Sequence, residues 1–265
     1  MGLLGKLFGK KPRDEASLPA PSTHDAAEAG EQGEQGEQGE QGEQGEQGEQ
    51  GEQGESREPD IAPELASALA ALQAGRYKKA IEGAMPHVER LADAARLCAI
   101  AYSEMERYPE AFSYWHKLFA QEPSAHNALQ LATTSVMCGE VERGEAWLTK
   151  AAQVNHDTHE QSDATARVNF ISALMQSGHL RETLPHLAWM RDVYAHMRIT
   201  DSTFLYMRGI PFFSSFLEKS LEILKATQPT DAIVSWYGEL EGKLDEEGAA
   251  QLAEWVGQLK APPAA

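Results

Sequence analysis

The sequence is poor in cysteine and has no long hydrophobic run. It contains two cysteines in 265 residues, Cys98 and Cys138, and their spacing supports neither a metal site nor a redox pair. Both lie on apolar faces of predicted helices, where a cysteine serves as a small buried hydrophobe. Because no apolar run is long enough to form a membrane-spanning helix, we predict a soluble, cytoplasmic protein.

Basic residues are also scarce. The chain has 23 Lys and Arg against 41 Asp and Glu, which gives a formal net charge of −18. Half of this excess lies in residues 57–265, where the helices are predicted. A surface that binds nucleic acid needs clustered lysine and arginine, so we predict no nucleic-acid partner.

Recognisable catalytic motifs are missing as well. The sequence has no G-x-S-x-G, no phosphate-binding glycine loop and no H-E-x-x-H. One candidate metal pattern is His156-x-x-His159, with Asp157 and Glu160 beside it, but it lacks a third convergent ligand and lies in a polar segment where a loop is predicted. We therefore predict a non-enzyme with no catalytic residue, no cofactor and no metal site.

Residues 1–12 form a short amphipathic peptide. Leu3, Leu4, Leu7 and Phe8 can share one face of a helix, with Lys6, Lys10 and Lys11 beside it. This pattern is typical of a docking peptide or of a weak interfacial anchor. Docking on a protein, weak peripheral contact of residues 1–11 with a membrane, and a frayed terminus are the three interpretations.

A low-complexity linker follows at residues 13–58. Residues 30–56 repeat Gly-Glu-Gln eight times before ending in Gly-Glu-Ser, with nine glutamates and no apolar side chain. Glycine at every third position resembles collagen, but the tract lacks the proline that pre-forms a collagen strand. A segment with nothing to bury and charges that repel one another is predicted to be an extended, disordered spacer.

A seven-residue pattern occurs four times between residues 75 and 184. Its copies are residues 75–81, 106–112, 139–145 and 178–184. The equivalent small positions Ala80, Ala111, Gly144 and Thr183 are 31, 33 and 39 residues apart. A period in the low thirties, with glycine where one helix should end and a small residue in the next, predicts stacked helical hairpins.

The pattern resembles the tetratricopeptide repeat, which covers about residues 59–197 here. Repeat two carries the likeness best, with residues 98–102 at the family's L-G-x2-Y position, Ala111 and Trp115 at A-x3-F, and Pro123 at the closing proline. The resemblance implies a right-handed solenoid of about four to five helical hairpins. Residues 198–261 would then form a degenerate repeat and a C-terminal helical cap, or a partner face built on the cluster of phenylalanines from Phe212 to Phe216.

In this family the ligand lies on the first helices of the repeats, which line the concave side. Projected onto this chain, the resemblance implies the following partner-binding residues: Arg96, Ile100, His126, Leu129, Val168 and Met175. Since Arg96 is the only basic residue among them, a clamp for a terminal carboxylate is not expected. A mixed, partly apolar groove is better suited to an amphipathic helix or an extended peptide.

Three functional hypotheses follow from these features. The first is a non-catalytic adaptor that binds a client protein or peptide on the concave face. The second is a structural or assembly subunit of a larger bacterial-type machine, such as a secretion apparatus. The third is a helical enzyme without a recognisable motif.

Overall fold

The computed structural model of the protein describes residues 61–260. Its regular elements are helices, with no strand in this range, which confirms the predicted all-α class. The α-helices between these limits are α1 (Ala66–Gln73), α2 (Tyr77–Ala84), α3 (Ala92–Glu104), α4 (Tyr108–Gln121), α5 (Ala125–Met137), α6 (Val141–Thr158), α7 (Asp163–Gln176), α8 (Leu184–Met197), α9 (Ser202–Met207), α10 (Phe213–Thr227), α11 (Thr230–Gly238) and α12 (Glu246–Lys260). The predicted N-terminal peptide and linker, residues 1–12 and 13–58, lie outside the described residues.

The first hairpins are built on one repeated turn. Gly75, Gly139 and Gly178, each two residues after the end of α1, α5 or α7, have positive φ angles of 68°, 80° and 82°. Two backbone hydrogen bonds close each turn, one of them from the N–H of Arg76 to the carbonyl of Ala71 at 2.8 Å in the first copy. A helix that ends this way needs a left-handed residue, which glycine supplies without strain from a Cβ atom.

Two further turns have the same geometry. Glu106, between α3 and α4, has a φ of 58°, and Gly209, after α9, has a φ of 63°. The closing bonds run from the N–H of Arg107 to the carbonyl of Tyr102 and, in the later copy, from the N–H of Ile210, both at 2.9 Å. The repeated turn therefore occurs a fifth time, beyond the four copies of the sequence pattern.

Helices pack mainly against their neighbours in the chain. Within the hairpins α1 contacts α2, α3 contacts α4, and α5 contacts α6, while α2 and α4 also contact the first helix of the next hairpin. Two pairs of first helices also touch, α1 with α3 and α5 with α7. The second helices do so too, since Phe119 of α4 meets Trp147 of α6 edge to face at 5.2 Å. Each hairpin thus buries its faces against the hairpins next to it.

The small residues of the pattern lie where the two helices of a hairpin approach closely. Ala80 and Ala111 are fully buried, and Gly144 is buried as well. A Cβ atom on Gly144 would lie 2.7 Å from Cγ2 of Val136 and 3.0 Å from the carbonyl oxygen of Ala132. Because real Cβ contacts are longer than this, α5 and α6 can keep their spacing only with glycine at position 144.

The fourth copy of the pattern departs from the others. Thr183 aligns with residues that lie one turn inside α2, α4 and α6, but in the structure it precedes α8, which begins at Leu184. Pro185 occupies the first turn of α8, where the N–H that proline lacks would have no partner in any case. The Thr183 hydroxyl donates instead to the carbonyl of Leu180 at 2.6 Å, and the preceding residues form a turn.

The C-terminal part, α9 to α12, has its own aromatic core. Phe213 and Phe216 are buried against Tyr194 of α8, with ring centroids 5.2 and 4.8 Å away. The Tyr194 hydroxyl donates to the carbonyl of Pro211 at 2.6 Å. Most of the phenylalanine cluster is therefore internal, and Phe212 is its exposed member. None of the helices in residues 61–260 has the length and apolar character required to cross a bilayer.

Candidate functional site

A strip of half-buried side chains runs along the first helices α3, α5 and α7. Its members recur at spacings of three and four residues, which places them on one face of each helix. We call this surface the first-helix face, and it consists of Arg96, Ile100 and Ser103 on α3, His126, Gln130, Thr133 and Met137 on α5, and Val168, Ser172 and Met175 on α7. These residues are exposed or partly exposed, whereas most of the remaining residues of the same helices are buried.

Five of the six predicted binding residues lie on this face. Arg96, Ile100, Val168 and Met175 are partly exposed, and His126 is exposed. Contact between α5 and α7 brings the α5 and α7 parts together. Arg96 lies near enough to His126 to influence its protonation, so the α3 and α5 parts also adjoin.

Leu129, the sixth predicted residue, is not part of the face. It is only 1% exposed and packs in a core cluster with Phe170 and Leu174 of α7. α5 is flanked by both α6 and α7, so two of its sides are buried and a narrow strip remains exposed. Gln130 occupies that strip in place of Leu129. Helical spacing alone allows either Leu129 or Gln130 on the exposed strip. The polar side chain of Gln130 was the signal in the sequence that favoured its exposure.

The charges on the face are largely paired within the chain. The Arg96 guanidinium forms ion pairs with the carboxylates of Asp93 and Glu122. Glu160 accepts the backbone N–H of Ala125 at 2.8 Å and that of His126 at 3.3 Å, at the N-terminus of α5. The pKa of His126 is lowered, first because surrounding protein atoms displace its water and then because Arg96 is near. The face therefore presents little net positive charge.

In the candidate metal pattern, His159 and Glu160 have roles in the backbone structure. His159 ends α6 in a left-handed conformation with a φ of 54°, and Glu160 is occupied in capping α5. In the range 61–260 no three His, Cys, Asp or Glu side chains come together as metal ligands. Cys98 is buried, which raises the pKa of its thiol to about 11, so this thiol stays protonated near neutral pH.

A buried polar cluster joins α6, α7 and α8 behind the face. His186, 2% exposed, has its Nε2 2.7 Å from Oε1 of Glu145 and its Nδ1 2.8 Å from Nη1 of Arg167. A guanidinium can only donate, so Nδ1 must accept and Nε2 must carry the proton that is donated to Glu145. The geometry therefore fits a neutral imidazole. Burial lowers the pKa of His186 and the Arg167 charge adds to this, while Glu145 opposes it.

We expect this cluster to make stability depend on pH. Because folding lowers the pKa of His186, the unfolded chain takes up a proton first as the pH falls through its ordinary value of 6.5. The contribution is complete above that value and is lost progressively below it. Thermal melts at about pH 7.5, 6.5 and 5.5 should show a falling melting temperature.

His186→Gln should weaken this pH dependence, because an amide can accept from Arg167 and donate to Glu145 without titrating. The matched control is His156→Gln, since His156 is an exposed histidine of the same α6 region. It should leave the slope unchanged. If His186→Gln keeps the full slope of the wild type, the neutral-imidazole interpretation is wrong.

No protein-family model matches the sequence, and comparison with curated proteins gives no significant match. Function is therefore inferred from the geometry of the described residues. A long, half-buried strip with mixed chemistry and paired charges can bind a polypeptide along several helices. It does not resemble the enclosed, mostly apolar cleft that a small molecule usually occupies.

Proposed function

We propose that the protein is a non-catalytic adaptor of the tetratricopeptide-repeat type. In this proposal the hairpins from α1 to α8 form a right-handed solenoid, α9 to α12 complete and cap it, and the first-helix face is its concave surface. The five equivalent turns at positions 75, 106, 139, 178 and 209 support a repeated architecture. The contact of each hairpin with the next supports it as well.

One observation carries the proposed adaptor role. The exposed strip runs from α3, where Arg96 lies near His126 of α5, to α7, which contacts α5, although each helix comes from a different hairpin. A continuous surface contributed by successive first helices is what a repeat array offers to an extended ligand. The partner in this proposal is a protein segment that runs across the helices.

The chemistry of the face restricts that segment. Arg96 is already neutralised by Asp93 and Glu122, so it is poorly placed to hold a ligand carboxylate. Ile100, Val168 and Met175 offer apolar contact instead, and the hydroxyl and amide side chains between them offer hydrogen bonds. We therefore propose an amphipathic helix or an extended peptide that binds without a dominant charge contact.

The triple variant Arg96→Ala, His126→Ala, Met175→Ala should lose its client. Large or charged side chains dominate interfaces, and these three lie on the exposed strip of three successive first helices. A pull-down with the tagged full-length protein should recover at least about tenfold less client, which corresponds to about 1.4 kcal/mol of binding free energy. The melting temperature should move by only a few degrees.

A matched control uses the same residue types outside the face. Arg76, Met85 and His156 are exposed and lie in the first turn region, in the 3-10 turn after α2 and in α6. Their triple alanine variant should keep the client. Full retention of the client by the first variant, with an unchanged melt, would move the interface away from the first-helix face.

A second candidate function is an assembly subunit of a larger complex. It is favoured by apolar side chains around α9, where Tyr206 is 77% and Met207 79% exposed and Phe212 is also exposed. Exposed aromatic and methionine side chains are enriched in protein interfaces. A subunit should co-purify with its complex in a fixed ratio. The double variant Tyr206→Ser, Met207→Ser should no longer co-purify with that complex. A transient client of an adaptor should be recovered in less than stoichiometric amounts.

A further inference from the structure

An open apolar groove lies between the end of α11 and the last helix, α12. Its volume is about 370 Å³, which is within the range of ligand-binding pockets. Leu240, Leu252 and Val256 are buried beneath it, whereas Ala249, Ala253 and Gly257 line it from the exposed side of α12. The groove therefore follows α12 along most of its length and offers a mostly apolar surface.

The surroundings of this groove are acidic. Residues 239–260 contain six acidic side chains and two basic ones, and five of the acidic ones remain when Asp245, which is bonded to Thr200 and Gly248, is set aside. Glu241 lines the groove itself, and Lys260 lines its far end. An occupant with an apolar side and lysines beside it would bury carbon against the groove while its charges meet those carboxylates.

We propose that residues 1–11 of the same chain dock into this groove. Leu3, Leu4, Leu7 and Phe8 supply the apolar side, and Lys6, Lys10 and Lys11 supply three positive charges with no acidic residue among them. The peptide is thus complementary to the groove in both polarity and charge. The same negative surroundings disfavour an anionic membrane surface close to α12.

The length of chain between the two segments permits this docking. Residues 12–60 provide 49 residues, which span up to about 160 Å when stretched and about 35–40 Å on average for a flexible chain. Because the peptide belongs to the same chain, its docking is an intramolecular event and needs less intrinsic affinity than the binding of a free peptide.

Paramagnetic broadening in the full-length protein tests the proposal. The chain would carry Gly2→Cys with a nitroxide label, and Cys138→Ser would leave the buried Cys98 as the other cysteine. Amide signals of α12 should lose most of their intensity, while those of α2 should not. Leu4→Asp with Leu7→Asp should restore the α12 signals, because charge replaces the apolar contact.

A blocked groove supplies an independent test. A Cβ atom on Gly257 would meet no other atom within 4 Å, so Gly257→Trp can fill the groove without disturbing the fold. It should restore the α12 signals, whereas Gly238→Trp should not, since Gly238 is equally open but lies outside the groove.

Three results would overturn the proposal. The first is the absence of broadening of the α12 amide signals in the nitroxide-labelled protein without further substitutions. The second is broadening in a mixture of two chains, one with the nitroxide but no ¹⁵N and the other with ¹⁵N but no nitroxide. That result would make the docking intermolecular. The third is broadening of α12 that persists both in Leu4→Asp with Leu7→Asp and in Gly257→Trp, which would mean that the label approaches α12 without the peptide occupying the groove.

Discussion

Replacing Trp115 by alanine should lower the free energy of unfolding by about 3–5 kcal/mol. Trp115 lies in α4 and is 4% exposed, within the core cluster that α1 to α4 share. Its indole N–H also donates to the Ser103 hydroxyl of α3 at 3.3 Å. The substitution removes the largest side chain at the contact of α3 and α4, and the rigid helices around it cannot close the cavity fully.

Urea unfolding followed by circular dichroism measures this effect. Trp115→Phe keeps most of the apolar volume and should cost clearly less than Trp115→Ala. Trp189→Ala is the matched control, because Trp189 of α8 is only partly buried. If Trp115→Ala unfolds at the same urea concentration as the wild type, the register assigned to the second hairpin is wrong.

The register of the first three hairpins was predictable because its signals are local. A small residue one turn into the second helix constrains a single contact in each of these hairpins, and a glycine after the first helix constrains the turn in the first and third. The structure confirms both, with positive φ angles at Gly75 and Gly139 and complete burial of Ala80 and Ala111. Such signals need no knowledge of distant residues.

The limits of local signals appear at the fourth and fifth turns. Thr183 precedes α8 because Pro185 delays the helix start, and the alignment of small residues took no account of this. The turn at Gly209 has the same closing bonds as the others, but its flanking sequence lacks the pattern. Glu106 shows that the left-handed position can be held by a residue that pattern reading does not expect there.

Five of the six predicted partner-binding residues are exposed or partly exposed, and Leu129 is buried. The projection from the repeat family placed His126 on the exposed strip of α5, but it chose Leu129 where the structure exposes Gln130. That choice depends on the simultaneous packing of α5 against α6 and α7. The tertiary arrangement decides which sides of a helix are buried by two neighbouring helices. The periodicity of a single segment does not carry that information.

Polar contacts between distant segments were not predictable from the sequence. Glu145 and His186 are 41 residues apart, and their neighbours in the chain give no sign of a shared cluster. Asp245 and Thr200 are separated by 45 residues. Each pair becomes meaningful only when the helices that carry them are packed, because an isolated carboxylate or hydroxyl has many alternative partners, including water.

Asp245→Ala should destabilise the C-terminal part by about 2–4 kcal/mol, because it leaves buried donors without partners. The Asp245 carboxylate accepts the N–H of Thr200 at 2.7 Å and its hydroxyl at 2.6 Å, and also the N–H of Gly248 at 2.9 Å. Thr200 is buried. A Cβ atom on Gly248 would lie 2.5 Å from the methyl group of Thr200. One side chain therefore caps α12 and fixes it against the segment between α8 and α9.

Two measurements distinguish the capping role of Asp245 from a general effect of removing a negative charge. One is the dependence of stability on acid pH, and the other is a matched variant. Burial alone would raise the pKa of Asp245, but the bonds from Thr200 and Gly248 outweigh it and lower the pKa. The stabilisation is therefore present above the ordinary value of 3.8 and is lost as the pH falls below it. Asp231→Ala, which removes an exposed carboxylate from the first turn of α11, should cost less than about 1 kcal/mol. Equal melting temperatures for the Asp245 and Asp231 variants would show that the contact with Thr200 contributes little.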